Sequence, residues 1–139
     1  IHHLASGTIL ENDKILRQWF STEEIQIMKE AVEDHRASSN HEPRSIYGKI
    51  VAEADRVIDL EITLRRTVQY GLKQNPSESK EWHYERFLNH LLSKYAKGGY
   101  LKLWFENSKN GERLKELRAL INNRKQLKET FDRIFMEEK

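Results

Sequence analysis

The chain has 139 residues and a nearly balanced charge, with 24 Lys and Arg against 22 Asp and Glu and a formal net charge of +2. This balance argues against a nucleic-acid-binding protein, and the absence of cysteine excludes disulfides and thiolate metal sites. No apolar run approaches the roughly 20 residues that span a bilayer, and no segment resembles a signal peptide, so we expect a cytoplasmic protein with no membrane partner.

The length suits a single domain covering residues 1–139, and the hydrophobic residues recur at helical spacing without strand-like alternation. The predicted helices, in chain order, are a short one around 3–10, a second short piece at 14–20, and four longer ones near 22–36, 45–71, 79–96 and 111–136. Ser21 or Thr22 is expected to cap the third helix and Ser45 the fourth, with a loop containing Pro43 between them. The pattern therefore predicts an all-α bundle without a sheet.

Two polar residues fall on helix faces that the pattern marks as buried. His35 stands three residues after Val32 on one apolar stripe, and Asp55 stands four residues after Val51 on the stripe of the next helix. A buried carboxylate without a partner is costly, so proteins pair it, protonate it or bind it to a metal. We therefore expect Asp55 to have such a partner.

Taken singly, each residue has a structural explanation. A lone inward His is more often hydrogen-bonded in the core than a metal ligand, and an inward Asp55 would more often be salt-bridged, here to Arg17, Arg36 or Arg56. Together with His3 on the opening helix, however, the two residues make a His, His, Asp set on three successive helices. Such a ligand set suits a divalent transition metal such as Zn, Mn or Fe.

The segment EDHRASSNHEPRSIYGKIVAEADR, residues 33–56, resembles the second half of an HD-domain metal-dependent phosphohydrolase. In that family the last metal ligand is the Asp of an ADR or ADK stretch, which follows a helix-ending His and a Pro-containing loop. The segment HLASGTIL, residues 3–10, is similar to the family's middle segment, in which a His is followed four residues on by Gly. The resemblance covers about residues 1–66 and implies an HD-domain-like helical bundle.

The chain also departs from the family pattern. The upstream His and the His-Asp dyad that give the family its name are absent from the matching positions, and Asp34-His35 has the reversed order. We therefore expect the chain as given to lack the N-terminal portion of the domain, with the catalytic dyad upstream of Ile1, and to be a poor catalyst by itself. The loop SSNHEPRS does not reproduce the Gly-Tyr-Pro loop of members that cleave cyclic dinucleotides, which argues against such a substrate.

The resemblance implies that a phosphorylated small molecule or nucleotide is hydrolysed by a water molecule that a divalent metal ion, Zn, Mn, Fe or Mg, activates. The implied metal ligands are His3, His35 and Asp55. Arg36 is the first candidate for binding a substrate phosphate, because a guanidinium can bind phosphate as a bidentate fork. Lys49 and Arg66 are further substrate-binding candidates that would equally suit surface positions.

A second interpretation is a non-catalytic helical module that binds a partner, with His35 and Asp55 simply paired in the core. The apolar face of the last predicted helix would close the bundle and is also compatible with a homodimer. Among the other histidines, His2 is a second-choice ligand and His41 a surface loop residue. The residues that precede Ile1 would best distinguish the two interpretations.

Overall fold

The structure is a computed structural model that describes residues 2–39 and 41–139, and within these ranges the chain is all-helical. The described residues form seven α-helices and one short 3₁₀ turn, Leu16–Gln18, with no strand among them. The helices are α1 (His2–Asn12), α2 (Thr22–Asp34), α3 (Ile46–Asp55), α4 (Leu60–Gln74), α5 (Lys80–Tyr95), α6 (Lys109–Asn122) and α7 (Arg124–Glu138). The all-α prediction is confirmed. No helix in the described ranges combines the length and the apolar character that a bilayer crossing needs.

Side-chain caps define where the helices begin. Ser21 accepts a hydrogen bond from the backbone N–H of Glu24, whose carboxylate accepts one in return from the Ser21 N–H, so α2 begins with a capping box. Ser45 caps α3 by accepting from the N–H of Gly48. The predicted caps at Ser21 and Ser45 are therefore confirmed. Four later helices begin in the same way, at the caps Asp59, Ser79, Ser108 and Asn123.

The predicted helix over 45–71 is wrong, because the chain divides it into α3 and α4. α3 ends at Asp55, and Arg56 leaves the helical conformation with φ −86° and ψ 77°. The Asp59 side chain then accepts a hydrogen bond from the N–H of Ile62 and starts α4 anew. An Asp that bonds to nearby backbone competes with helix continuation, so apolar spacing across this break does not mark one continuous face.

The predicted last helix is divided as well. α6 ends at Asn122, and Asn123 caps α7 by accepting a hydrogen bond from the N–H of Gln126. Asn is unfavourable in helix interiors and favourable at caps, because its side chain bonds to the adjacent backbone. The pair of Asn residues was therefore the sequence signal for this break.

The chain packs as two compact units. The first contains Ile1–Val57 and Lys102–Phe105, and the second contains Ile58–Leu101 and Glu106–Lys139. In the first unit α1 packs on α2 and α2 packs on α3, which places His35 and the loop after it between packed helices. Asn40, within the predicted break between α2 and α3, lies outside the described residues. The prediction of a single domain over residues 1–139 stays a prediction.

The second unit contains most of the buried apolar side chains. Phe87 of α5 and Phe131 of α7 are fully buried with their ring centroids 5.1 Å apart, and Phe135 lies 5.4 Å from Phe131. Leu64 of α4 and Ile121 of α6 are equally buried, so all four helices of this unit contribute to its core. Burial of each large apolar side chain contributes roughly 1.5–3 kcal/mol, so this core contributes strongly to the stability of the second unit.

Candidate functional site

Three imidazoles converge where α1 meets the end of α2. His2 and His3 lie in the first turn of α1, and His35 follows α2 as its C-cap. The ring centroids are 5.6 Å apart for His2 and His3, 5.8 Å for His2 and His35, and 6.3 Å for His3 and His35. The structure thus brings together His3 and His35, two of the three predicted metal ligands, with the second-choice ligand His2 beside them.

The hydrogen bonding of His35 fixes which ring nitrogen carries the proton. Its Nδ1 lies 2.5 Å from the carbonyl oxygen of Val32, so Nδ1 carries a proton and donates it. In the neutral ring the lone pair is then on Nε2. Metal-binding imidazoles are oriented in the same way, by donating the other ring N–H to a carbonyl or carboxylate.

His3 is only partly exposed, and its pKa is lowered below the ordinary value for a histidine. Desolvation is the largest cause, and positive groups nearby, among them Arg36 and the imidazoles of His2 and His35, add to it. A lowered pKa favours the neutral imidazole at physiological pH. The neutral ring is the form that binds a metal ion.

Asp55 does not lie on the buried face of α3 that its sequence position predicted. The residue is exposed, as is Val51 one turn earlier. The buried face instead carries the small residues Gly48 and Ala52, which let α3 come close to α2. A Cβ on Gly48 would lie 3.0 Å from the Cβ of Pro43 and in ordinary contact, at 3.7 Å, with the Cα of Ala31 in α2. The face that packs carries these two small residues together with Glu53, whose buried carboxylate accepts a hydrogen bond from the backbone N–H of Trp104 at 3.0 Å, and Asp55 lies outside that face.

The fit of the described residues to a metal ion is partial. Within residues 2–39 and 41–139, no three His, Asp or Glu side chains form a group arranged to hold a metal ion. His3 and His35 therefore supply at most part of a coordination shell. The prediction that His35 and Asp55 face a common cavity stays a prediction.

A polar cavity of about 400 Å³ opens beside His3 in the first unit. Its walls come from α1, the end of α2 and the loop that follows α2. The lining residues are His3, Leu4, Glu33, Asp34, Arg36, Ser38, Ser39, His41 and Arg44. The volume lies within the range of small-molecule sites, about 300–1,000 Å³.

A buried ion pair closes the loop that forms one wall of this cavity. Asp34 is 2% exposed and accepts hydrogen bonds from the backbone N–H of Arg44 at 2.9 Å, from its Nε at 3.0 Å and from its Nη2 at 2.9 Å. Burial by itself raises the pKa of Asp34, but the hydrogen bonds and positive charge of Arg44 outweigh it and hold the pKa below its ordinary value. Sequence reasoning missed this pair, because it treated Asp34 only as half of a reversed dyad.

The three predicted phosphate-binding residues are placed differently. Arg36 is exposed and lines the polar cavity, and its guanidinium makes no hydrogen bond or ion pair within the part of the chain that the structure describes. Lys49 forms an ion pair with Glu42 and lies over the Trp104 ring, 6.0 Å from its centroid. Arg66 is exposed on α4 in the second unit. Of the three, only Arg36 lines the cavity beside His3.

Comparison with known proteins does not show which family the chain belongs to. No family model, curated protein or solved structure matches it. Membership of the HD-domain phosphohydrolases therefore stays a prediction from the sequence segments that resemble that family.

An apolar groove is the other distinctive feature of the first unit. It has a volume of about 460 Å³ and is lined by Leu10, Phe20, Glu24, Ile27, Met28, Ala31, Val32, Tyr47 and Val51. Some of these side chains are well exposed, Tyr47 to 57% and Phe20 to 39%. Large exposed apolar patches on soluble proteins often mark interaction sites, so the groove is a candidate surface for a protein partner.

Proposed function

We propose that the full-length protein is a metal-dependent phosphohydrolase of the HD-domain type that acts on a phosphorylated small molecule or nucleotide. The observation that carries the proposal is the convergence of His3 and His35 beside a polar cavity that Arg36 lines. His3, His35 and Asp55 are the metal ligands proposed within this chain. In the family a further His and a His-Asp dyad complete the coordination shell, and these are not found at the matching positions of this chain.

The two imidazoles have the chemistry that a divalent ion such as Zn, Mn or Fe requires. His35 directs its Nδ1 proton at the Val32 carbonyl, and the lowered pKa of His3 favours its neutral form. A bound divalent ion would lower the pKa of a water molecule and neutralise charge on the phosphoryl oxygens. Arg36 would bind the substrate phosphate as a two-pronged donor beside the imidazoles.

The position of Asp55 supports a binding role for this residue. A carboxylate at the C-terminal end of a helix opposes the helix dipole, which costs about 0.3–1 kcal/mol. The Asp55 side chain is exposed, and its charge attracts the buried guanidinium of Arg56, which is one of the partners expected for it. Residues that conflict with local stability are concentrated at functional sites.

The full-length protein should release phosphate from at least one member of a panel of phosphomonoesters, phosphodiesters and nucleotides when Mn, Zn, Fe or Mg is present. Chelation should abolish the release, and restoring the metal should restore it, because the bound ion activates the water. Phosphate release and metal content measured on the same preparation test this, with the 139-residue chain as the low-activity reference. A protein that retains no metal and hydrolyses no panel member would contradict the proposal.

The apolar groove favours a second candidate function, a helical interaction module. The groove is open in the described structure, and most of its lining side chains are large and apolar. Burial of such side chains by a partner is favourable by about 25 cal/mol per Å². The partner that we propose for the groove is a second copy of the chain, because this partner can be tested directly.

If a second copy binds in the groove, Ile27→Asp should convert the dimer into a monomer, because Ile27 lines the groove and is 36% exposed. The free energy of unfolding should fall by about 1–2 kcal/mol, because roughly two thirds of the Ile27 side chain is buried within its own chain. Sedimentation equilibrium measures the mass, and Ile9→Asp is the matched control, since Ile9 is 68% exposed and does not line the groove. A monomeric wild type would reject the homodimer.

A further inference from the structure

We propose that the loop between α2 and α3 forms a subsite for the dianionic phosphate of a phosphomonoester. Arg36, Ser38 and Ser39 are its ligands, and the Asp34 and Arg44 pair is the brace that positions the loop. This inference rests on the proposed function and narrows it, because it names phosphomonoesters as the substrate class. It concerns residues 36–39 and 41–44 and the polar cavity that they line.

The charges around the cavity leave Arg36 as the cation for a bound anion. Asp34 is sealed from solvent and bonded to Arg44, and Glu33 accepts a hydrogen bond from Arg44 Nη2 at 2.8 Å. Arg44 is therefore committed to two carboxylates. Arg36 lines the same cavity and has no such partner in the described part of the chain, so its donors are available to a ligand.

Two hydroxyls complement the guanidinium. Ser38 and Ser39 line the same cavity, and Ser39 Oγ accepts a hydrogen bond from the His41 N–H at 3.5 Å, which leaves the hydroxyl proton to donate. A guanidinium fork bonds two phosphate oxygens, and a hydroxyl can bond a third. A phosphomonoester presents three acceptor oxygens and a charge of about −1.5 to −2 at pH 7. A phosphodiester has fewer free oxygens and a smaller charge, so this donor set favours the monoester.

His41 belongs to the brace. Its Nδ1 donates to the carbonyl oxygen of Glu42 at 3.0 Å, and its Nε2 lies 4.0 Å from the Asp34 carboxylate. The second ring nitrogen is at the limit of ion-pair distance from Asp34, and the His41 side chain is 55% exposed and lines the cavity. We assign the direct contact with phosphate to Arg36 and the serines.

The brace matters because a loop that is already closed loses less entropy when it binds a ligand. Asp34 ends α2, and Arg44 precedes the Ser45 cap of α3, so the pair ties the two ends of the loop together. Arg36, Ser38 and Ser39 lie between these tied ends. Asp34 is therefore a positioning residue for the phosphate ligands.

The test is an NMR titration of the metal-free full-length protein in chelator, with inorganic phosphate, glycerol phosphate and dimethyl phosphate as probes. The first two should bind saturably, and dimethyl phosphate should bind at least about 10-fold more weakly. Arg36→Ala should raise the Kd for glycerol phosphate about 10-fold to 100-fold, because charge-assisted hydrogen bonds are lost. Arg36→Lys should fall between, since an ammonium lacks the fork. Lys14→Ala is the control and should bind like the wild type, because Lys14 is exposed in the first unit and does not line the polar cavity.

The outcomes separate this subsite from the proposed function. The subsite is overturned if the wild type shows no saturable binding of phosphate. It is also overturned if Arg36→Ala changes the Kd by less than about twofold. Both conclusions hold whether or not the protein is a hydrolase. A second outcome is that Arg36→Ala weakens phosphate binding but the protein hydrolyses no panel member with any metal. This outcome supports the subsite and overturns the proposed function. In an active protein, Asp34→Asn should raise KM for the monoester and leave kcat within about twofold, as expected for a positioning residue. An unchanged KM would overturn the role of the brace.

Discussion

Replacing Asp55 by Ala is expected to abolish the metal-dependent turnover of the full-length protein and to leave its free energy of unfolding unchanged or up to about 0.5 kcal/mol higher. Turnover should be lost because the variant lacks a proposed metal ligand. Stability should be kept because Asp55 is exposed, ends α3, and opposes the dipole of that helix. Phosphate release, bound metal and the melting temperature of both proteins measure the three quantities.

Asp59→Ala is the matched control for this variant. Asp59 is also an Asp at a helix end, but its side chain caps α4 by accepting from the N–H of Ile62. Its removal should therefore cost about 1 kcal/mol of stability, as for other N-caps, while turnover is retained. The two substitutions thus have opposite expected effects on activity and stability. If Asp55→Ala retains full turnover, Asp55 is not a metal ligand. If Asp55→Ala is markedly destabilised, Asp55 has a structural role.

Local features of the structure could be predicted from the sequence. The caps at Ser21 and Ser45 were predicted because a cap depends on a side chain and the backbone only three residues away. The convergence of His3 and His35 results from the packing of α1 against α2, and the sequence pointed to it only through their ligand types and the family resemblance. The cap predictions, in contrast, used interactions that are short in sequence.

The buried face of α3 could not be predicted from hydrophobicity. The stripe that contains Val51 is more apolar than the stripe of Gly48 and Ala52, yet the second stripe is the one that packs. Small residues permit close approach of two helices, and this geometric gain is not visible in a hydrophobic pattern. The error turned the predicted face of α3 by one residue, about 100°, and placed Asp55 inside.

The brace of the polar cavity was missed for a different reason. Asp34 and Arg44 are ten residues apart and are joined across a loop, so neither helical spacing nor turn chemistry connects them. Many Arg residues in the chain were equally plausible partners for any given Asp. Only the closed conformation of the loop selects Arg44, and that closure depends on the packing of α2 against α3.

Asp34→Ala should lower the free energy of unfolding by about 2–3 kcal/mol at neutral pH. The carboxylate is 2% exposed and accepts several hydrogen bonds from Arg44, and hydrogen bonds to charged groups contribute about 1.5–3 kcal/mol. The cost should stay below the 3–5 kcal/mol of a fully buried pair, because the Arg44 side chain is 44% exposed and can turn to solvent. Chemical denaturation of both proteins measures the difference. Glu30→Ala is the control and should be nearly neutral, since Glu30 approaches Arg44 only to 3.8 Å.

The dependence of this difference on pH follows from the lowered pKa of Asp34. A carboxyl whose pKa is lower in the folded state stabilises that state fully above its unfolded pKa, about 3.9. The stabilisation is lost as the pH falls from there through the folded pKa, because the carboxylate becomes protonated in both states. The free energies of unfolding of the wild type and Asp34→Ala should therefore converge as the pH is lowered. If the two free energies still differ below about pH 2, Asp34 acts through packing and not through its charge.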